Sequence, residues 1–164
     1  MTTPEPEVIS DGGDSTGGEV AVSTGTHFTG DESDILYYIS FDRLEGLRRS
    51  PVTLIADRRV ESCPSMLTPL HELDDPQALI DEISEHCGDG EDFIHSNMAV
   101  QEIVFRTLLA NGNKPMSIEA LHYELTERWS TPLRPITLTA ESLESVLDAD
   151  DYYGFSRVQE EEEN

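Results

Sequence analysis

MAVQEIVFRTLLANGNKPMSIEALHYELTERWSTPLRPITLTAESLESVLDADDYYGFSRV, residues 98–158, is the stretch in which helix periods, turn signals and a strand follow one another in a readable order. Within Met98–Asn111, Val100, Ile103, Val104, Thr107 and Leu108 recur at the i, i+3, i+4 spacing of a helix that buries one face. Asn111-Gly112-Asn113 tolerates the left-handed conformation that closes a helix, and Pro115 forbids a restart before Ser117, the predicted next N-cap. Ile118–Trp129 repeats the pattern with Leu121, Leu125 and Trp129 in line, until Ser130-Thr131-Pro132 breaks it. After an extended link containing Arg134-Pro135, Thr139 is placed to cap a third helix. There Glu141 suits the positive end of the dipole, and Leu143, Val146 and Leu147 form the stripe to be buried. Tyr152–Val158, rich in aromatic and β-branched residues, reads as a strand.

Helix, turn, helix, link, helix, strand is the winged-helix order. None of these helices buries its apolar stripe alone, so the pattern predicts one small core of Ile103, Leu108, Leu121, Leu125, Trp129, Leu143 and Leu147. Three features carry a resemblance: the Gly112-Asn113-Lys114-Pro115-Met116 turn into the second helix, the Thr-rich entry at Thr137–Thr139, and Phe155-Ser156-Arg157-Val158 after an acidic loop. With Val104–Leu109 and Ser117–Leu121, they make the stretch resemble the HARE-HTH type of winged helix, the family that includes the delta subunit of bacterial RNA polymerase. The resemblance implies a transcription-associated role and RNA polymerase as a partner. Family members follow the strand with a second one to complete a wing; here Gln159 leads straight into Glu160–Glu163, which predicts a truncated wing.

The chain has 164 residues and a net charge of −24, from 34 acids against ten bases, nine of them Arg and one Lys114. Such an acid-rich, Lys-poor surface is expected of a cytoplasmic protein of an extreme halophile, where molar salt shrinks the screening length to about 3 Å and removes self-repulsion. The charge is uneven. Met1–Ser33 has seven acids and no base, Glu61–Asn97 has ten acids and no base, and Asp34–Val60 has four acids and five Arg. No apolar run reaches membrane length, so no membrane association is expected.

Residues 1–33, polar and acidic with aliphatics that show no period, read as a disordered solvating tail, and 159–164 as a second acidic tail. Residues 34–97 form a small α/β segment expected to pack on the 98–158 unit. In it Ile35–Ile39 suits a buried strand followed by a Ser40-capped helix through Leu44 and Leu47, with one longer helix over Ser33–Arg49 as the alternative. Pro51–Ala56 reads as a second strand. These two runs are expected to pair with each other, or one joins the C-terminal sheet. Cys63–Pro69 reads as irregular; Asp75-Pro76 opens a helix with Leu79, Ile80 and Ile83 inside, closed by Gly88-Asp89-Gly90. The expected fold class is therefore α+β: a mainly helical C-terminal winged helix, a small β-containing N-terminal part and a disordered tail.

For chemistry the chain offers little. Cys63, His71, His86 and Cys87 have ligand atoms suited to zinc but lack the paired spacing of a structural site, so they read as two buried thiols and two ordinary histidines, with no metal or cofactor expected. No Ser or Cys sits in a nucleophile motif, and the N-terminal glycines lack a following Lys-Ser/Thr, so the chain reads as non-enzymatic. DNA contact by the third helix is disfavoured, because Glu141, Glu144, Asp148, Asp150 and Asp151 would repel phosphates. The bases left for nucleic-acid or partner contacts are Arg128, Arg134 and Arg157, and a second patch of Arg43, Arg48, Arg49, Arg58 and Arg59, for which pairing with nearby acids is the plainer reading.

The leading expectation is a transcription-associated winged-helix protein acting as a protein-interaction module on RNA polymerase or another protein. The alternative is a dimeric DNA-binding regulator that reads the groove with residues 118–129 or the linking arginines. A third is an acidic DNA mimic presenting the carboxylates of Glu61–Asn97 to a basic groove.

Overall fold

The computed structural model describes residues 35–159; the expectations for both acidic tails, apart from Gln159, lie outside them. The fold is α+β, with six α-helices and one three-stranded antiparallel sheet among the described residues. In chain order these are β1 (Leu36–Ile39), α1 (Phe41–Gly46), α2 (Pro51–Ala56), two 3-10 turns (Pro64–Leu67 and Leu70–Glu72) and α3 (Pro76–Glu82). Then come α4 (Val100–Ala110), β2 (Met116–Ser117), α5 (Ile118–Tyr123), α6 (Ala140–Asp148) and β3 (Phe155–Arg157). Two helices continue as π-helical turns, α3 through Ile83–Cys87 and α5 through Glu124–Arg128.

The sheet order is β2-β1-β3, so the first strand of the described residues is the middle one. Tyr37 faces Met116 on one side and Arg157 on the other; Ile39 faces Phe155. The expected C-terminal strand thus has its partner at the opposite end of the described chain, and of the two pairings open to Ile35–Ile39 the structure has the one with the C-terminal sheet. Tyr37 and Ile39 are fully buried while Leu36 and Tyr38 are half-buried, the period of two of a strand with one face in the core.

β2 is too short to pair beyond Tyr37, and a side chain completes the ladder. Asn113 Nδ2 donates to the Ile39 carbonyl at 3.0 Å, and the Ile39 N–H donates to Asn113 Oδ1 at 2.8 Å. The same residue closes α4: Asn113, at φ +58°, donates its N–H to Leu108 O at 2.7 Å, after Gly112 at φ +72°. Asn tolerates this conformation better than most residues, and only its amide offers a donor and an acceptor at strand-like spacing.

The caps expected at Ser40, Asp75, Ser117 and Thr139 are all formed, each side chain accepting from a backbone N–H two or three residues on. Pro51–Ala56, expected as a strand, is a helix. Ser50 Oγ accepts from the Thr53 N–H at 3.2 Å and Pro51 takes the first helical position, where its missing N–H costs nothing. A short apolar run between turn signals carries no period to separate strand from buried helix, and here the Ser-Pro start decided.

Tyr152–Val158 is extended only from Phe155. Tyr152, Tyr153 and Gly154 wrap around the Asp150 carboxylate, which accepts their three N–H groups at 2.9–3.2 Å. Gly154 stands at φ +82° against Leu44, where an added Cβ would meet Leu44 Cγ at 2.7 Å. Cys63 and Cys87, expected as separate thiols, are joined as a disulfide with Cα atoms 5.9 Å apart. Both are buried among the residues that make one core with Leu79, Ile80, Ile83, Ile103, Leu108, Leu121, Leu125, Leu143 and Leu147.

Two outcomes are expected in denaturant titrations. Asn113→Gly keeps the backbone conformation but removes both amide bonds to Ile39, and stability falls by about 1–3 kcal/mol. Reducing Cys63–Cys87, which closes a loop over a separation of 24 residues, lowers stability by about 3 kcal/mol in the chain-entropy account.

Candidate interaction surface

The face of α6 that points to solvent is acidic. Glu141, Ser142, Ser145 and Asp148 are exposed, Leu143 and Leu147 point inward, and α6 itself contributes no base. Arg157 on β3 does not offset this toward a ligand, because its guanidinium is already engaged by Glu144 Oε1 at 2.6 Å and by both oxygens of Asp148. These bonds, chiefly the one from Arg157, hold the Asp148 carboxyl below its usual range. Tyr37 donates to the same carboxylate at 2.7 Å; burial, then that bond, push its phenol up. Asp150, expected to add to the repulsive face, is instead buried and turned into the backbone of its own loop.

Half of the arginines marked as contact candidates, Arg157 with Arg43, Arg58 and Arg59, are used internally. Arg43 donates to the Phe155 carbonyl at 3.0 Å and the Asp150 carbonyl at 2.5 Å, fastening the Asp150 loop to α1. Arg58 is buried: its Nε and Nη2 grip both oxygens of Glu102 at 3.0 Å, and Nη1 donates to Leu54 O. Arg106 completes the group, donating to Glu102 Oε1 at 3.1 Å and to the Phe93 carbonyl at 2.7 Å. Burial alone would raise the Glu102 carboxyl, but its bonds to Arg58 and Arg106 outweigh that and hold it below its ordinary value. Arg59 donates to the carbonyls of Ala56 and Ser65. Arg43, Arg58 and Arg59 therefore serve three different internal contacts.

The remaining bases are exposed. Arg48 stands at φ +63° as the residue that closes α1, its N–H donating to Glu45 O at 2.9 Å and its side chain making no hydrogen bond or ion pair among the described residues, and Arg49 lies over the Tyr152 ring at 4.0 Å. Arg134 donates to Ser96 O at 3.0 Å at the edge of a cleft of about 270 Å³ lined by Met98, Val100, Ile136 and Leu138. Arg128 reaches Glu124 only at 3.4 Å and leaves 61% of its side chain in solvent.

A second cavity, of about 190 Å³, lies where the two π-helical turns end against α4. Its lining includes Gly88 and Asp89 after the first turn, Glu124, Arg128 and Trp129 from the second, and Ala110. Gly88 is required there, since an added Cβ would stand 2.8 Å from Ala110 Cβ. The Gly88 N–H bonds to Ile83 O at 2.6 Å and the Trp129 N–H to Glu124 O at 3.2 Å, the i to i−5 bonds of π turns. Trp129, expected in the core, is half-buried as a wall of this cavity, and its Nε1 is buried without a partner.

His71 and His86 are exposed beside Glu72 and Glu85, and the two Cys are bonded to each other. Among the described residues no group of three or more His, Cys, Asp or Glu is arranged to hold a metal, and no helix is long and apolar enough to cross a membrane. The cavity and the Arg58–Glu102–Arg106 group were not foreseen from the sequence. The Glu124-x-x-x-Arg128-Trp129 spacing, a helical ion pair beside the only Trp, was the one local sign of the first. Comparison with family models, curated proteins and solved structures found no match for this chain.

Glu102→Gln leaves two guanidiniums around a neutral group in the interior and costs about 3 kcal/mol or more at neutral pH. Because the folded carboxyl lies below its ordinary value of 4.5, its contribution is complete above that value and is lost as pH falls through the folded one. The gap between wild type and variant, measured by denaturant titration from pH 7 down to pH 3, narrows at the acid end.

Proposed function

We propose that the chain is a transcription-associated winged-helix protein that works as a protein-interaction module, with RNA polymerase as its first candidate partner. The order α4, β2, α5, α6, β3 supports the winged-helix reading, with β1 from upstream lying beside β3 where a wing's second strand would otherwise be needed. The observation that carries the interaction reading is the α6 face. A groove-reading helix needs bases near phosphates, and this one presents carboxylates, two of which hold the nearest strand arginine. An acidic face of this kind suits a basic protein surface. The net charge of −24 fits a cytosol of molar salt, in which contacts between charges need close geometry rather than long-range attraction.

One observation favours a second reading, a DNA-binding regulator. Arg128 and Arg134 are exposed at the end of the α5 π turn and on the link after it, where two guanidiniums are available to a phosphate backbone.

The test is parallel capture of genomic DNA fragments and of RNA polymerase by the full chain at fixed molar KCl, with Arg128→Glu and Arg134→Glu alongside. The expected result is polymerase retained, DNA not, and little change in either variant. Saturable DNA binding that both variants lose would replace this reading with the regulator; capture of neither would remove both.

A further inference from the structure

We propose that the cavity between the two π-helical turns is a binding site for a small organic cation, an ammonium compound of roughly four to eight heavy atoms. The proposal does not rest on the winged-helix reading. A cavity of about 150 Å³ is large enough for a ring the size of benzene, and this one, partly open to solvent and lined by both polar and apolar groups, has about 190 Å³.

The lining decides the sign of the ligand. Two carboxylates, Asp89 and Glu124, face one guanidinium, Arg128, and that guanidinium is largely in solvent. Two backbone donors at the mouth are already committed, the Gly88 N–H to Ile83 O and the Gly90 N–H to Cys87 O at 3.0 Å. Trp129 supplies the rest. Its Nε1 is buried and without an acceptor, so what the indole shows the cavity is ring carbon, and the ring face already carries the Arg128 guanidinium; indole is the best aromatic partner for a cation. Leaving an indole N–H unpaired in the interior is unfavourable, so the ring is held in this orientation by its other contacts.

Arg128 already plays the ligand's part from the rim. Its guanidinium carbon lies 5.2 Å from the Trp129 ring centroid, and Nη1 reaches Glu124 at 3.4 Å. Both contacts are loose, and both are what a free ammonium would make: a carboxylate on one side and an aromatic wall on the other. Arg128 is therefore an internal competitor that a ligand displaces. Both π turns bring this about, because each inserts a residue that takes the following side chains off the helix's regular faces, and π turns recur at functional sites for that reason.

Trp129 is the only Trp, so its fluorescence reports on the cavity without a label. The full chain is titrated with choline chloride replacing KCl at constant total salt, beside the neutral choline isostere 3,3-dimethylbutan-1-ol and potassium acetate. The expected result is a saturable emission change with choline, at least tenfold weaker with the isostere and absent with acetate. Arg128→Gln, an exposed change that leaves the fold intact, tightens choline binding roughly two- to fivefold, the value of a loose surface pair. Glu124→Gln weakens it at least fivefold. Equal curves for choline and its isostere, saturation by acetate, weaker choline binding in Arg128→Gln, or no saturable change in either wild type or Arg128→Gln would each overturn the proposal.

Discussion

β1 occupies the middle of the sheet, and the places of the other two strands follow from satisfying its two edges. A four-residue strand with two buried side chains carries backbone groups on both sides that water cannot reach, and each needs a partner. β3 covers one side in full, from Ser40 N–H on Gly154 O at 2.9 Å to Val158 N–H on Leu36 O at 2.8 Å. β2 covers half of the other, and the Asn113 amide covers what remains. That single side chain therefore links the end of α4, the start of β2 and the end of β1. With these in place α4, α5 and α6 are held against the inner face through Tyr37, Ile39 and Phe155, and the core closes.

The scarcity of cations gives each one a structural meaning. Of ten bases, Arg43, Arg58, Arg59, Arg106, Arg134 and Arg157 each donate to a carbonyl or carboxylate in another part of the chain. The planar fork of Arg bonds several acceptors at once in fixed directions, which an ammonium does not. In a surface dominated by acids, such ties keep their value in concentrated salt because they are short and, for Arg58 and Arg106, shielded from it.

What was readable in the sequence was what is local. Ser40, Asp75, Ser117 and Thr139 cap helices through bonds to their own following residues, so the letters alone located those starts. Leu121, Leu125, Leu143 and Leu147 are buried because a 3.6-residue period leaves them no other face. Pro51–Ala56 failed because six residues are too few to reveal a period. The partner of β1 stayed open between two choices, and the Cys63–Cys87 bond and the Trp129 cavity were missed, for a different reason. Each joins segments whose meeting depends on how the helices stack, and no spacing along the chain encodes that. Arg43, Arg58 and Arg59 looked like a patch because they are close in sequence, yet their side chains leave α1 and the end of α2 for different acceptors.

The middle position of β1 also orders events in time. As the chain is synthesised, its first strand emerges early, with both edges open and an apolar face unpaired. Neither neighbour exists until Met116 and then Phe155 have been made, so the sheet closes only once nearly the whole described chain is out. Pairing between segments so distant in sequence carries a large loop-closure cost before any contact rewards it, the condition under which sheets form late and slowly. On loop-closure cost alone, the first strand of the described residues is among the last parts to be fixed.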